Sequence, residues 1–295
     1  MSKTTGYIIA IIVLLGANLL LFFGKETSTT KNAENYFQVE DLERVSRFTF
    51  SMNGDSTVIE RAGEEWKLNA KYKADEGFVN TLISILERVE AGRTIENWDR
   101  ETLGNVEVEF DFNSRYRFEI GTNATKTKSY FIANGEAKEV AVPGYRDNVV
   151  DIFLLHPDQW RDRNILDGSW RTIQRLTVEN KQAEDFEISF NDSFFLVNGT
   201  TPTDSSAVVS YLNQFQQFQA NEMISEGRFP ALDSLSYTEP LAIVTIDDIK
   251  YDSPVRLEIF PNLVGQPYHL VRMQTGERMV IDARRVAQIL TNPDN

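Results

Sequence analysis

One segment of the chain occurs twice, and this repeat limits what the chain can fold into. Trp66–Ile95 and Phe195–Ile224 align without a gap at a separation of 129 positions. The aromatic residue that opens each range is followed nine positions later by an aspartate, Asp75 in the first copy and Asp204 in the second. Apolar residues at helical spacing come next in both copies. A pattern that returns at fixed spacing predicts a duplicated structural unit.

The residues around each copy alternate between apolar and polar, which is typical of strands in an antiparallel sheet. The aspartates are good helix N-caps, so we predict helices from about Asp75 to Gly92 and from Asp204 to Gln219. Shorter helices are expected over residues 147–155 and 283–290. Runs of strands broken by helices predict an α+β fold: two tandem repeats of antiparallel sheet plus helices, preceded by a transmembrane helix.

The transmembrane prediction comes from residues 4–24, which contain no charged residue. About 20 apolar residues in a helix span the hydrocarbon core of a bilayer. A cleaved signal peptide is the alternative, but its apolar run is usually about 7–15 residues and ends at an A-x-A site, which is missing here. We therefore predict a single-pass protein of the inner (cytoplasmic) membrane with its C-terminal part in the periplasm. The predicted divisions are an anchor over 1–24, a tether over 25–38, and repeats over 39–165 and 166–295.

Composition narrows the function classes. The formal net charge of −14 disfavours binding to nucleic acid, because the phosphate backbone is also negative. The chain has no cysteine, so disulfides, thiolate metal sites and cysteine nucleophiles are excluded. The two histidines, His156 and His269, form no HExxH motif and no Ser-His-Asp set. No catalytic residue and no cofactor site is predicted.

An acidic stripe is the first pattern that could carry chemistry. Glu107, Glu109 and Asp111 alternate with apolar residues along one predicted strand, and Arg115 and Arg117 alternate along the next. Carboxylates on one face could act as an acid/base pair or bind a hard cation. Because cross-strand neighbours share a face, the arginines are expected to lie opposite the acids. We interpret the stripe as a charge-paired outer face of a sheet.

The metal candidates are Asp247, Asp248 and Asp252. Three carboxylates near one loop could begin a calcium shell of six to eight oxygens. Their spacing does not match an EF-hand, and the loop lacks the glycine of that motif. A polar hairpin loop is the interpretation that we prefer.

Three tryptophans lie in predicted connections rather than in strands or helices. Trp98, Trp160 and Trp170 are therefore candidates for packing contacts or for a surface that binds a partner protein.

Several short motifs together resemble a bacterial family known as domain of unknown function 4340. The motifs are Val58-Ile59-Glu60-Arg61, Trp66-Lys67-Leu68, Ala74-Asp75 and Trp160-Arg161-Asp162-Arg163, all after an apolar N-terminal segment. The second copy departs from the pattern at Phe195 and at Thr203-Asp204. Members of this family look like envelope proteins that are often linked to gliding-type ABC export systems. The resemblance implies an accessory, non-enzymatic role with envelope proteins as partners, and it transfers no functional residue.

Three hypotheses follow from the sequence. The first is a membrane-anchored binding or assembly module of the cell envelope, possibly within an ABC-type export or gliding-related complex. The second is an envelope protein that binds a ligand in a groove between the repeats. The third is a hydrolase with acidic catalytic residues, which would need clustered and desolvated carboxylates in one cleft.

Overall fold

The computed structural model describes residues 37–39, 42–52, 54–96, 98, 102–111 and 114–294. The predicted anchor over residues 1–24 and nearly all of the predicted tether lie outside these ranges. Within the described ranges, every helix is too short or too polar to cross a bilayer.

The first large sheet has nine strands. Their bounds are β1 (Val45–Met52), β2 (Asp55–Ala62), β3 (Glu65–Leu68), β4 (Tyr72–Lys73), β5 (Glu90–Ile95), β6 (Gly104–Phe110), β7 (Arg115–Thr122), β8 (Ser129–Ala133) and β9 (Glu136–Ala141). Their order across the sheet is β4-β3-β2-β1-β6-β7-β8-β9-β5. The helix α1 (Glu76–Arg88) lies in the chain between β4 and β5, after a 3₁₀ turn at Leu42–Arg44 near the start.

The second large sheet has eight strands, and a small sheet pairs two more. The bounds of these strands are β10 (Asn164–Leu166), β11 (Ile173–Asn180), β12 (Phe186–Asn191), β13 (Phe194–Val197), β14 (Phe218–Gln219), β15 (Glu222–Met223), β16 (Ala242–Asp248), β17 (Val255–Ile259), β18 (Tyr268–Met273) and β19 (Arg278–Asp282). The large sheet has the order β13-β12-β11-β16-β17-β18-β19-β15, and β10 pairs with β14. The helices are α2 (Ser205–Asn213), α3 (Pro230–Leu235) and α4 (Ala283–Ile289).

The two large sheets share one strand order. If β4 is set aside, β1, β2 and β3 take the places of β11, β12 and β13, and β5 to β9 take the places of β15 to β19. The helix α1 comes after β3 and the short strand β4 in the chain, and α2 comes after β13, the counterpart of β3. Each strand of one sheet can therefore be compared with its counterpart in the other.

The predicted α+β class is wrong, because the described part of the chain is mostly antiparallel β-sheet with short helices. The longest described helix, α1, has 13 residues. The helix predicted to reach Gln219 ends at Asn213, since Phe218 and Gln219 instead pair with β10. Residues predicted as a helix over 147–155 form a 3₁₀ helix, Val149–Leu154. At Phe218 and Gln219, tertiary pairing overrides the local helical pattern.

The helix caps were predicted from the repeat and are confirmed. The carboxylate of Asp75 accepts hydrogen bonds from the backbone amides of Gly77 at 2.9 Å and Phe78 at 3.2 Å. Asp204 accepts equivalent bonds from the amides of Ser206 and Ala207 at 2.8 and 3.2 Å. Each cap satisfies amides that have no partner in the first turn of a helix.

The chain forms two compact units, each with its own core. The first unit comprises the chain up to Val45 together with Phe50–Asp55 and Thr81–Phe153. The second unit comprises Ser46–Thr49, Ser56–Asn80 and Leu154–Asn295. The predicted repeat bounds, 39–165 and 166–295, stay a prediction. They are based on similarity between two stretches of sequence, whereas the two units are defined by how the residues pack. Aromatic rings in edge-to-face and tilted contact fill the first core: Phe37, Phe50, Phe118, Phe131 and Phe153. In the second core, Phe215 packs edge-on against Phe218.

Candidate functional site

The second compact unit contains a surface cleft of about 520 Å³, which we call the apolar cleft. Its floor is the sheet face formed by β18, β19 and the end of β15, and its wall is α3. The principal apolar side chains of the floor and wall are Ile224, Leu232, Leu235, Leu270 and Val280. This volume lies within the range of pockets that bind ligands, about 300–1,000 Å³.

Strand register produces the floor of the apolar cleft. Leu270 of β18 lies directly opposite Val280 of β19, so both side chains leave the same face of the sheet. The next pair, Val271 and Met279, turns to the other face and joins the buried core. The sheet therefore buries one face in the core and presents a second apolar surface to the cleft.

The wall is a short helix that buries none of its residues. Pro230 opens α3 at a position where its missing N–H costs nothing. Leu232 and Leu235 are three residues apart, so they lie on the same side of the helix, where both line the apolar cleft. A helix of this kind normally buries its apolar side, yet here that side faces open space.

Large apolar side chains are exposed at the entrance. Phe229 and Tyr268 line the apolar cleft and are 40% and 39% exposed. Val264, in the loop between β17 and β18, is fully exposed beside the lining residue Leu263. That loop, residues 261–267, contains no charged residue. Contiguous exposed apolar surface of this kind marks interaction sites in soluble domains.

Ion pairs rather than apolar packing hold α3 in place. Arg278 of β19 donates a 2.8 Å hydrogen bond from Nη1 to Oδ1 of Asp233. Arg272 of β18 donates from Nη1 to the carbonyl of Ser236 at 3.0 Å. Glu258 pairs with Arg272 in turn at 2.6 Å. Because these bonds hold the C-terminal half of α3, its leucines remain beside the cleft and only partly buried.

A buried carboxylate supports the border of the apolar cleft. Asp158 accepts hydrogen bonds from the amide and hydroxyl of Ser225 and pairs with Arg228 at 3.2 Å. Arg228 also reaches the lining residue Glu222 at 2.7 Å. Burial alone would raise the pKa of Asp158, but the bonds from Ser225 and the charges of His156 and Arg161 bring that pKa below its usual value. Asp158 is therefore ionised at neutral pH.

A second cavity, of about 440 Å³, lies in the same unit and is more polar. The guanidinium of Arg161 stacks 3.7 Å from the ring centroid of Tyr72 and pairs with Glu277 at 2.9 Å. Lys73, on the rim, pairs with Glu65, whose hydrogen bond raises the pKa of the lysine. The charged groups of Arg161 and Lys73 are thus paired within the unit.

The metal candidates do not come together. Asp247 and Asp248 are successive residues of β16, so their side chains leave opposite faces. Asp248 is buried, where it accepts a 2.6 Å hydrogen bond from the hydroxyl of Thr172 and another from the amide of Lys250. Asp252 is exposed in the turn after the strand. Over the ranges that the structure describes, no group of three or more His, Asp or Glu residues could hold a metal ion.

The acidic stripe is paired with the arginines of the next strand, as predicted. Glu107 lies opposite Arg117, and Glu109 lies opposite Arg115. The corresponding ion pairs measure 2.6 and 3.4 Å. A hydrogen bond from Arg117 lowers the pKa of Glu107, which opposes a role as a proton donor near neutral pH. Asp111 is exposed beyond the end of β6.

The three tryptophans have different environments. Trp98 packs on Tyr130 in the first unit, with ring centroids 5.1 Å apart. Trp160 is fully buried in the second unit and contacts Phe78. Trp170 is more than one-third exposed and carries Arg171 over its ring. Trp98 and Trp160 thus serve packing, and only Trp170 presents a surface.

Both histidines have structural contacts. Nδ1 of His156 accepts a hydrogen bond from the amide of Asp158 and caps a 3₁₀ helix, Pro157–Trp160. Nδ1 of His269 lies 2.8 Å from the carbonyl of Phe260.

Sequence reasoning missed the apolar cleft. The sequence pattern does not indicate α3, because a helix of six residues is too short to show a period. Two signals could have pointed to it: the uncharged run over 261–267, and a proline followed by two leucines three positions apart.

Comparisons with curated proteins and with solved structures find no match for this chain. A family described as a domain of unknown function (DUF4340) matches residues 66–238, more than half of the chain, and the chain therefore belongs to that family.

Proposed function

We propose that this protein is a non-enzymatic binding module of the bacterial cell envelope, associated with the cytoplasmic membrane through its apolar residues 4–24. Residues 39–295 are then on the periplasmic side. The apolar cleft is the observation that carries the proposal, and an apolar segment of another envelope protein is its occupant.

The energetics support binding rather than a structural role for the cleft. Apolar surface of the cleft remains in contact with water at Leu232, Leu235, Phe229 and Tyr268. Burying this surface against a partner would contribute about 25 cal/mol of binding free energy for each Å². The bonds that Arg278 and Arg272 make to the C-terminal half of α3 keep this surface open before a partner arrives. A preformed site loses less conformational entropy on binding.

The chemistry of the described carboxylates argues for binding over hydrolysis. A glycoside hydrolase of the usual kind needs two carboxyl groups facing one cleft, one of them with a raised pKa. The pKa values of Asp158, Glu107 and Glu258 are all lowered by their partners. The family resemblance supports placing the module beside an ABC-type export or gliding-related complex.

Site-specific photo-crosslinking in living cells tests the proposal. The photoreactive amino acid p-benzoylphenylalanine replaces Phe229, which borders the apolar cleft, or Phe190, which is equally exposed on β12 and serves as the control. We expect one defined crosslinked envelope protein from position 229 and none from position 190. The same products from both positions, or none from 229, would refute a binding role for the cleft.

A further inference from the structure

We infer that the occupant of the apolar cleft is an amphipathic helix with basic flanks, contributed by a partner protein. This inference rests on the proposed binding function and specifies the chemistry of the partner. Three observations carry it: an internal comparison between the two sheets, the use of backbone hydrogen bonds around the cleft, and the charges on its border.

The first sheet provides an internal comparison for the positions that line the apolar cleft. Ile120 pairs with Phe131 in the first sheet, and Ile259 pairs with Val271 in the second. Ile120 precedes the glycine of the segment FEIG, Phe118–Gly121, and Ile259 precedes the last phenylalanine of the segment LEIF, Leu257–Phe260. The two pairs therefore lie at corresponding places on β7–β8 and β17–β18. This match makes Leu270 the counterpart of Tyr130.

The same count assigns counterparts to two more lining residues. Tyr268 of the cleft corresponds to Lys128, two residues before Tyr130. Val280 lies opposite Leu270, as Glu139 lies opposite Tyr130, so Val280 corresponds to Glu139.

The first sheet has an ion pair at these positions. Nζ of Lys128 lies 2.8 Å from Glu139, and both side chains are partly exposed, as expected for a sheet face in water. The second sheet has Tyr268 and Val280 in their place, and these line the apolar cleft. Trp98 covers Tyr130 in the first sheet, but the two ion-paired positions beside it are partly exposed. Their replacement by apolar residues in the second copy indicates a surface adapted to a partner.

Two strands of the floor, β18 and β19, have hydrogen-bonded neighbours on both sides, so they leave no edge for an incoming strand. The hydrogen bonds of β18 and β19 are used between these strands, and β19 pairs on its other side with β15. The occupant therefore lies on a sheet face and contacts side chains only. A helix placed in a groove binds in this way, through apolar residues at i, i+3, i+4 and i+7.

Charge selects a basic partner. Glu222 lines the apolar cleft, and the exposed Glu226 lies in the turn between the lining residues Ile224 and Phe229. The nearest cation in that turn, Arg228, is already engaged by both Asp158 and Glu222. The whole chain has a net charge of −14, which adds a long-range attraction for basic segments.

Peptide binding to the full chain tests this inference. The chain is reconstituted in phosphatidylcholine nanodiscs, and empty nanodiscs provide the background. Two fluorescein-labelled amphipathic helices serve as probes: a peptide of Leu-Lys-Lys-Leu-Leu-Lys-Leu heptads and a matched peptide with every lysine replaced by glutamate. Fluorescence anisotropy gives the dissociation constants. We expect saturable binding of the lysine peptide and affinity at least about tenfold lower for the glutamate peptide.

Matched variants locate the binding. Ala231 is exposed on α3 and lines the apolar cleft, whereas Ser234 is exposed on the same helix and does not line it. Ala231→Trp should fill the cleft and weaken the lysine peptide about tenfold, and Ser234→Trp should leave its affinity unchanged. Phe229→Ser, at an exposed position, is a second variant that should also weaken binding of the lysine peptide. Circular dichroism checks that each variant is folded.

The outcomes separate this inference from the proposed function. Equal affinity for the two peptides, or binding that Ala231→Trp and Phe229→Ser leave unchanged, would overturn the basic-helix inference. If position 229 still crosslinks one envelope protein in that case, the binding function stands and only the partner chemistry fails. Binding of the lysine peptide to empty nanodiscs at the same level would assign its affinity to the lipid and also overturn the inference.

Discussion

Asp158 is bonded twice to Ser225: its carboxylate accepts a 2.9 Å hydrogen bond from the backbone amide and a 2.5 Å hydrogen bond from the hydroxyl. The side chain of Asp158 is only 1% exposed. Ser225 directly follows Ile224 of the apolar cleft, and Arg228 of the same turn also bonds to Asp158. One buried charge therefore fixes the segment that forms the border of the candidate site.

Removal of that charge should destabilise the second unit. We expect Asp158→Asn to lower the free energy of unfolding by about 3 kcal/mol, because Arg228 and Arg161 lose the carboxylate that neutralises them. Urea denaturation at neutral pH measures the change. The control is Asp162→Asn, at a partly exposed residue whose ion pair with Lys73 measures 3.9 Å, and we expect it to cost at most about 1 kcal/mol. Equal effects of the two variants would contradict the assigned role of Asp158.

The same carboxylate should make stability depend on pH in acid. The pKa of Asp158 is lower in the folded chain than its ordinary value of about 3.9. Its contribution is therefore fully present above about pH 4 and is lost as the pH falls through the lowered folded pKa. We expect the free energy of unfolding to fall less steeply with acid in Asp158→Asn than in the wild type. Urea titrations from neutral pH into acid measure both slopes, and identical slopes would show that Asp158 does not titrate in this way.

The repeated segment could be interpreted from the sequence because its signals are local. Trp66 and Phe195 are both buried strand residues, and Asp75 and Asp204 both cap helices. A cap depends on residues two or three positions away, and a strand's inward face depends on alternation, so neither requires knowledge of distant partners. The repeat also indicates a structural role for each aspartate, because both copies have it at the same place.

The sites that depend on distant pairing could not be predicted in this way. Gly92 was expected to end a helix but lies in β5, whose pairing with β9 contains an irregularity between Ala91 and Thr94. Leu270 and Val280 form the floor of the apolar cleft only because of the register of β18 and β19. Such a register is set by the whole sheet, so alternation along one strand cannot show which apolar face remains uncovered.

Loss of the first helix cap should have a modest and specific cost. We expect Asp75→Ala to lower the free energy of unfolding by about 1 kcal/mol, because the amides of Gly77 and Phe78 lose their acceptor. Asp75→Asn keeps an oxygen at the same position and should be close to the wild type. Chemical denaturation of both variants measures the difference. A loss of partner crosslinking with unchanged stability would instead give Asp75 a role in binding.

Trp98 and Gly121 should be coupled in the first unit. A Cβ atom at Gly121 would lie 2.6 Å from the Trp98 ring, a distance that no packed structure tolerates. We therefore expect Gly121→Ala to cost about 1–3 kcal/mol. In the background of Trp98→Ala, the same substitution should cost much less, because the obstructing ring is gone. A double-mutant cycle measured by urea denaturation gives the coupling energy. Simple additivity of the two changes would show that the ring moves aside freely.

The first sheet provides the design for the sharpest test of the apolar cleft. The double variant Tyr268→Lys, Val280→Glu places on β18 and β19 the ion pair that Lys128 and Glu139 form at the corresponding positions. Tyr268 is partly exposed and Val280 is not fully buried, so we expect the free energy of unfolding to change by at most about 1 kcal/mol. Binding of the lysine peptide should nevertheless fall about tenfold, because the floor becomes charged and hydrated.

The single variants separate shape from polarity in that test. Tyr268→Phe keeps the apolar surface and should bind the peptide as the wild type does. Val280→Glu alone places a carboxylate on the floor without the lysine that would pair with it, and this variant should weaken binding. Fluorescence anisotropy and urea denaturation on the same preparations give both quantities for each variant. If the double variant kept its full affinity for the peptide, this face of β18 and β19 would not be the binding surface. The apolar residues of α3 that line the cleft would then need another explanation.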